Sequence, residues 1–329
     1  MPQVTLGFSV HRPEMIPLIH DCMRRHDAIF LEEPPEPGFA KMLAGRLSVD
    51  EYLLQLDTEY PAFSRKMCYL LRELNAEGKA IFQVEPFMEI LLSIHAFFAE
   101  GHRPAELQKN AIQYPVYLVE KNASRALLAY YQTVMAGSFD ETIAAITEFA
   151  RMDAARFRLR DSLRAQEIAP MAAKYTSSYV EAGVMHFRLR WFLGQQLFKN
   201  EQIDVIFLAD NALQSRGQYG RLYGPGDQLT FLYIFHPKMH NTRRAKVLAA
   251  RSIIYSKIVV KEELTGDLNT FPHLRDELDC ILMTRQLSLD DCRRLFPLVR
   301  RANSIEARKI VGGYLADLMP QPDRYLQPA

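Results

Sequence analysis

Apolar residues surround a single glycine in residues 4–10 (VTLGFSV), a pattern that predicts a buried strand halted by the polar turn His11-Arg12-Pro13. Pro13 suits a first helical position, where its missing N–H costs nothing. Met15, Ile16, Ile19 and Met23 then recur at helical spacing to about residue 25. Residues 28–31 (AIFL) predict a second short strand, ending on Glu32 and Glu33 and stopped by PPEP. Such a strand–helix–strand unit implies parallel strands with a right-handed crossover. Residues 47–76 read as largely helical, and 79–84 (KAIFQV) as a third strand ending at Glu85-Pro86.

Residues 105–173 keep helical periodicity with interruptions near Tyr114-Pro115 and Gly137-Ser138, too long a stretch for one crossover. The sheet resumes at 178–182, leading to Gly183 and His186, then a helix over 187–198 and a strand over 204–208. After a glycine-bearing loop, 216–227, the run LTFLYIF (229–235) predicts a further strand. Amphipathic helices follow at 242–262, 273–286 and 288–316, with 263–272 (ELTGDLNTFP) as a linker. The expected fold is α/β: a mostly parallel sheet in two halves (1–104 and 174–240), a helical insertion (105–173) and a C-terminal helical region (241–329).

At 329 residues and 48% hydrophobic content the chain can bury a full core without a partner. Its 40 basic and 39 acidic residues leave no excess for neutralising phosphates, which argues against nucleic acid as a partner. Cys22, Cys68, Cys280 and Cys292 lack CxxC spacing and read as reduced core thiols. No apolar run approaches the roughly 20 residues of a membrane helix. The start, MPQVTLGFSV, has no basic region followed by an apolar one. The expectation is a cytoplasmic protein with no membrane partner.

In a parallel sheet, ligands collect beyond the carboxyl ends of the strands. Polar residues there are His11, Glu32, Glu33, Glu85 and His186. Two imidazoles and several carboxylates suit general acid–base activation of water, and the same donor types suit a divalent metal. Taken singly, a His or Glu at a strand end is more often a cap or a turn residue, and the convergence is what points to chemistry.

The segment VTLGFSVHRPEMIPLIHDCMRRHDAIFLEE resembles the opening of the Tiki/TraB/erythromycin-esterase/ChaN-like superfamily, in which a glycine-containing first strand ends at a His and the second ends at a Glu. RDSLRAQEIAPMAAKYTSSYVEAGVMH resembles its second signature, an Arg-Asp pair on a helix followed by a strand running into Gly-x-x-His. The resemblance covers about a fifth of the chain and selects Gly7, His11, Glu32, Arg160, Gly183 and His186. Three residues separate Gly7 from His11 where the family more often has two, and Arg164-Ala165 stands where many members carry Met-Ala.

The resemblance implies a hydrolase of peptides, esters or signalling molecules. In it His11 or His186 acts as base or metal ligand, Glu32 is its partner, and Arg160 fixes that carboxylate or stabilises an oxyanion. His11, Glu32 and His186 are the expected ligands if a metal is held, with Gly7, Glu33, Glu85, Asp161 and Gly183 in support. Asp161 is equally a local partner for Arg160. The alternative is a non-catalytic protein, a homodimer in one version, that binds a small molecule, haem or peptide on the same fold. His236 and His240 form an HxxxH pair broken by Pro237, which argues against zinc. Tyr130, Tyr131, Phe149 and Phe157 read as core rather than as a haem pocket. His186→Ala is expected to abolish activity and barely move the thermal midpoint.

Overall fold

A computed structural model describes residues 3–197, 202–215, 217, 221–239, 242–264 and 266–318. The chain begins β1 (Gln3–Ser9), a 3-10 turn (Pro13–Met15), α1 (Ile16–Met23), β2 (Ala28–Leu31), α2 (Phe39–Leu43), α3 (Val49–Leu53), α4 (Pro61–Ala76) and β3 (Ala80–Gln83). Three helices, α5 (Pro86–Ala99), α6 (Gln113–Ala136) and α7 (Phe139–Ala172), then lead to β4 (Ser177–Gly183), α8 (Phe187–Gln196) and β5 (Gln202–Phe207). The remainder is helical: α9 (Leu208–Gln214), α10 (Pro225–Phe235), α11 (Arg243–Ile258), α12 (Pro272–Arg285), α13 (Leu289–Val299) and α14 (Ser304–Leu318).

The fold is α/β, with one five-stranded sheet in the order β3-β2-β4-β1-β5 and every pairing parallel. Burial on both faces explains the near-continuous apolar strands. Leu6, Phe8, Phe30, Val180 and Ala182 share one face with Leu189 and Leu193 of α8 and with Ala165, Ile168 and Ala172 of α7. Ile29, Leu31 and Tyr179 share the other with Ile19 and Met23 of α1 and with α4. The neighbours β1 and β4 therefore send their following helices to opposite faces. A crevice opens between their carboxyl ends, the place where such sheets bind ligands.

Gly7 is fixed by close approach: Tyr179 lies across β1 there, and a Cβ would overlap its ring. A second core joins the amino-terminal half of α7 (Phe139, Ile143, Ile146, Ala150, Ala154) to α10, α11, α13 and α14. Helix α7 thus begins in the helical region and ends on the sheet, and its middle crosses the carboxyl edge of the strands. Ser138 starts it with a reciprocal capping pair to Glu141.

Residues 229–235 correct the expected strand, because they lie in α10. Gly224 N–H donates to Asp227 at 2.8 Å and Pro225 opens the first turn, so the chain enters helically. The run is apolar without alternation because Leu229, Tyr233 and Ile234 are all buried, a setting in which periodicity cannot separate helix from strand. Residues 263–272 are also less free than a linker: Glu263 caps α4 through Ala62 and Phe63 N–H, both at 2.9 Å. Of the other expectations, His240, Phe198 and loop residues 216 and 218–220 lie outside the described residues. No helix among the described residues is long and apolar enough to cross a membrane.

Candidate active site

Three strand ends and the middle of α7 supply the site. Glu32 follows β2, Glu85 follows β3, and Gly183 and His186 close β4. Arg160, Asp161 and Arg164 lie within about a quarter-turn of one another on α7, because positions i, i+1 and i+4 share a helix face. The His186 ring is 2% exposed. Its Nε2 stands 2.7 Å from Glu32 Oε1, and its Nδ1 bonds Asp161 Oδ1. Phe157 meets it edge-on at 5.1 Å between centroids.

Glu32 is the hub. Oε1 also accepts from Arg160 Nη2 at 3.2 Å, and Oε2 accepts the Gly183 N–H at 2.6 Å. Arg160 pairs a second carboxylate, Glu85, at 3.1 Å. Arg164, completely buried, donates to the carbonyls of Val84 at 3.0 Å and Glu181 at 2.9 Å, tying the ends of β3 and β4 together. It also lies 3.7 Å from Glu32 and 3.6 Å from Glu85. Three basic side chains thus face three acidic ones, which is how a buried charged group avoids an uncompensated desolvation cost.

Burial alone would lower the His186 pKa, but Glu32 and Asp161 outweigh it and push the ring up to about 9. Burial likewise works to raise Glu32, and His186, Arg164 and Arg160 reverse it, holding the carboxyl well below the usual range. Near neutral pH the pair is an imidazolium beside a carboxylate. Glu181, which alternates with Val180 and Ala182 along β4 and so points to the opposite face of the sheet, goes the other way. Burial, then the neighbouring Glu33 and Glu32, raises it to about 8. Burial raises Glu33 too; Gln83 Nε2 donates to it at 3.0 Å.

A cleft of about 450 Å³ opens onto Glu32, Arg160, Gly183 and His186. Its rim carries His11, Arg12, Glu59, Tyr60, Phe157, Met185 and Glu277. The sequence-expected residues Glu32, Arg160, Gly183 and His186 come together in one bonded network with the expected supports Glu85 and Asp161. Asp161 serves His186 rather than Arg160. His11 stays at the rim, stacked on Phe63 at 5.0 Å, and no hydrogen bond or ion pair joins it to Glu32 or His186. Tyr131 is exposed and Phe157 lines the cleft, so neither is simple core.

The expected metal set does not fit this arrangement. His186 has both ring nitrogens engaged by carboxylates, and His11, stacked on Phe63, has no contact with Glu32 or His186. Among the described residues, no group of three or more His, Cys, Asp or Glu side chains is arranged to hold a metal ion.

Arg164, Glu181 and Gln83 were not expected from the sequence. Glu181 had a signal, being the one charge in the buried run SSYVEAG, and Arg164 stood four residues after Arg160 on the same helix face. No family model matches the chain, and no solved structure matches it. An uncharacterized protein of Archaeoglobus fulgidus is 26% identical over 290 residues, covering 88% of this chain and 96% of its own.

Proposed function

We propose that the cleft is the active site of a hydrolase that activates water with the Glu32–His186 pair and cleaves an ester or amide. The observation that carries this reading is the 2.7 Å contact between His186 Nε2 and Glu32 Oε1 at the floor of the cleft, with Asp161 behind the ring. A carboxylate on each nitrogen fixes the imidazole and sets its charge. The Tiki/TraB/erythromycin-esterase/ChaN-like resemblance supports the same reading.

In this mechanism the Glu32 carboxylate takes a proton from water while the water oxygen adds to the acyl carbon. Arg160, at the cleft wall, stabilises the oxyanion. His186 Nε2–H passes its proton to the leaving oxygen or nitrogen as the bond to the acyl carbon breaks. The proton on Glu32 then returns to His186 across the short contact. Water is consumed, its hydroxyl on the acyl product and its hydrogen on the leaving group. The depressed pKa makes Glu32 a weak base, so charge stabilisation by Arg160 carries a large share of the rate.

The test is hydrolysis of p-nitrophenyl acetate and butyrate in the presence of a chelator. Glu32→Gln and His186→Gln should each lower kcat/KM about 10²- to 10⁴-fold, the usual contribution of a positioned acid or base. Wild-type kcat should fall as pH rises through about 9, where His186 loses its proton. Folded variants with undiminished rates would overturn the proposal.

One observation favours a second reading, a binding protein without turnover. Arg160 is already shared between Glu32 and Glu85, and His186 between Glu32 and Asp161, the pattern of a network that holds strand ends in place. Ligand binding with no wild-type turnover would select it.

A further inference from the structure

The sheet has an outer edge at β3, which pairs with β2 alone among the described residues. Every residue of β2 is buried, whereas every residue of β3 keeps part of its surface. Ala80 N–H donates to the Asp27 carbonyl and Val84 N–H to that of Leu31, both toward β2. Backbone groups alternate sides along a strand, so the N–H and C=O of Ile81 and Gln83 point outward. The strand itself, AIFQ, holds no Pro, Lys or other charge of the kind that blunts an edge. Charge is distributed unequally around it. At the amino end are Lys79 and Lys174, the latter preceding Tyr175, whose ring lies 6.0 Å from that of Phe82. At the carboxyl end are Glu36, whose N–H donates to Gln83 Oε1 at 2.9 Å, and Glu89, in the first turn of α5. None of these four side chains forms an ion pair among the described residues. Burial, then Glu167 and Glu85, raise the Glu89 pKa, and no neighbouring cation offsets them.

We propose that the β3 edge is the contact surface of a homodimer, in which a second copy of this chain adds its own β3 antiparallel, across a twofold axis at Phe82. The strand is complementary to itself in that register. Ile81 of each copy exchanges both backbone hydrogen bonds with Gln83 of the other, so the outward groups of both are paired. Phe82 meets its own counterpart as a close, non-hydrogen-bonded pair, an arrangement in which aromatic side chains stabilise a ladder. The antiparallel direction sets the basic end of each edge against the acidic end of the other, and the axis repeats that attraction. A parallel approach would set like charges together. The charge pattern selects a second copy over a foreign strand because the two ends of one edge supply both halves of the match.

The experiment is sedimentation velocity on the full chain over the micromolar range. Wild type should give a species of twice the 37.9 kDa chain mass. Lys79→Glu/Lys174→Glu should raise the dissociation constant at least about tenfold, because like charges then face each other on both sides of the axis. Adding Glu36→Lys/Glu89→Lys to that variant should restore the dimer, which general damage to the surface or the fold would not do. Ile81→Pro removes an outward N–H and leaves the β2 ladder whole, so it should give a monomer with an unchanged far-UV circular dichroism spectrum. A wild type that stays monomeric would overturn the proposal and leave the edge to a foreign strand or to none. A dimer that neither Lys79→Glu/Lys174→Glu nor Ile81→Pro weakens would place the contact elsewhere and overturn it equally. If Ile81→Pro does not fold, the loss and rescue by the charge variants decide: loss without rescue would overturn the antiparallel register.

Discussion

Replacing His186 by alanine should destabilise this protein strongly at neutral pH and weakly at high pH. A strand-end residue ordinarily contributes little to a core, but this one is 2% exposed and is bonded to both Glu32 and Asp161. The rise of its pKa from 6.5 to about 9 corresponds to about 3 kcal/mol of preferential stabilisation of the charged ring in the folded state. Removing one partner of a buried ion pair costs a similar amount, about 3–5 kcal/mol. Because the folded pKa lies above the unfolded one, this stabilisation is fully present below about pH 6.5 and lost as pH rises through about 9. Urea denaturation of wild type and His186→Ala at about pH 6 and about pH 10 should therefore give a gap that narrows by about 3 kcal/mol between the two conditions. Titrations of groups that do not touch His186 cancel in the difference. A gap of equal size at both pH values would refute the electrostatic account and leave only lost packing. No gap at all would mean that the ring is not held as an imidazolium.

Three further outcomes follow from other parts of the fold. Glu181→Gln should stabilise the protein above about pH 8: a carboxyl raised to about 8 contributes stability below about pH 4.5 that fades toward pH 8, a span worth on the order of 5 kcal/mol, and a variant with the wild-type pH profile of Tm would contradict this. Gly7→Ala should lose about 1–3 kcal/mol to the clash with Tyr179 and recover part of it with Tyr179→Leu; equal losses with and without the second change would exclude the close approach as the cause. Glu14→Ala should free the N-terminus of α12, because its Oε1 accepts His273 N–H at 2.9 Å and Leu274 N–H at 3.1 Å; faster amide exchange confined to α12 is expected, and unchanged exchange there would show that the cap is dispensable.

The parallel strands were legible because burial on both faces leaves short apolar runs ending abruptly in polar residues, and Glu32, Glu85 and His186 sit at those ends. The strand AIFL ends on both Glu32 and Glu33, and only the family resemblance selected Glu32; the structure turns the two side chains to different partners, His186 and Gln83. What stayed hidden depends on contacts between distant parts of the chain. Glu32 bonds Gly183 across 151 positions, and Arg164 reaches Val84 across 80. Nothing local announces either. The same limit explains α10, whose all-apolar run is set by the helices packed around it, and Asp161, whose neighbour in sequence is Arg160 but whose partner in space is His186.

Few valences are free at the floor of the site. On the floor nearly every polar atom is engaged; Asp161 Oδ2 and Arg164 Nη1 are without hydrogen bonds, and both are buried behind the residues that face the cleft. A substrate group arriving there must displace an existing contact. The most accessible to displace is Arg160 to Glu32, at 3.2 Å with Arg160 side-chain exposure of 19%, because Glu85 still compensates Arg160 afterwards and His186 still compensates Glu32. That exchange frees a guanidinium edge for an oxyanion and one carboxylate lone pair for a water, the two groups that hydrolysis requires.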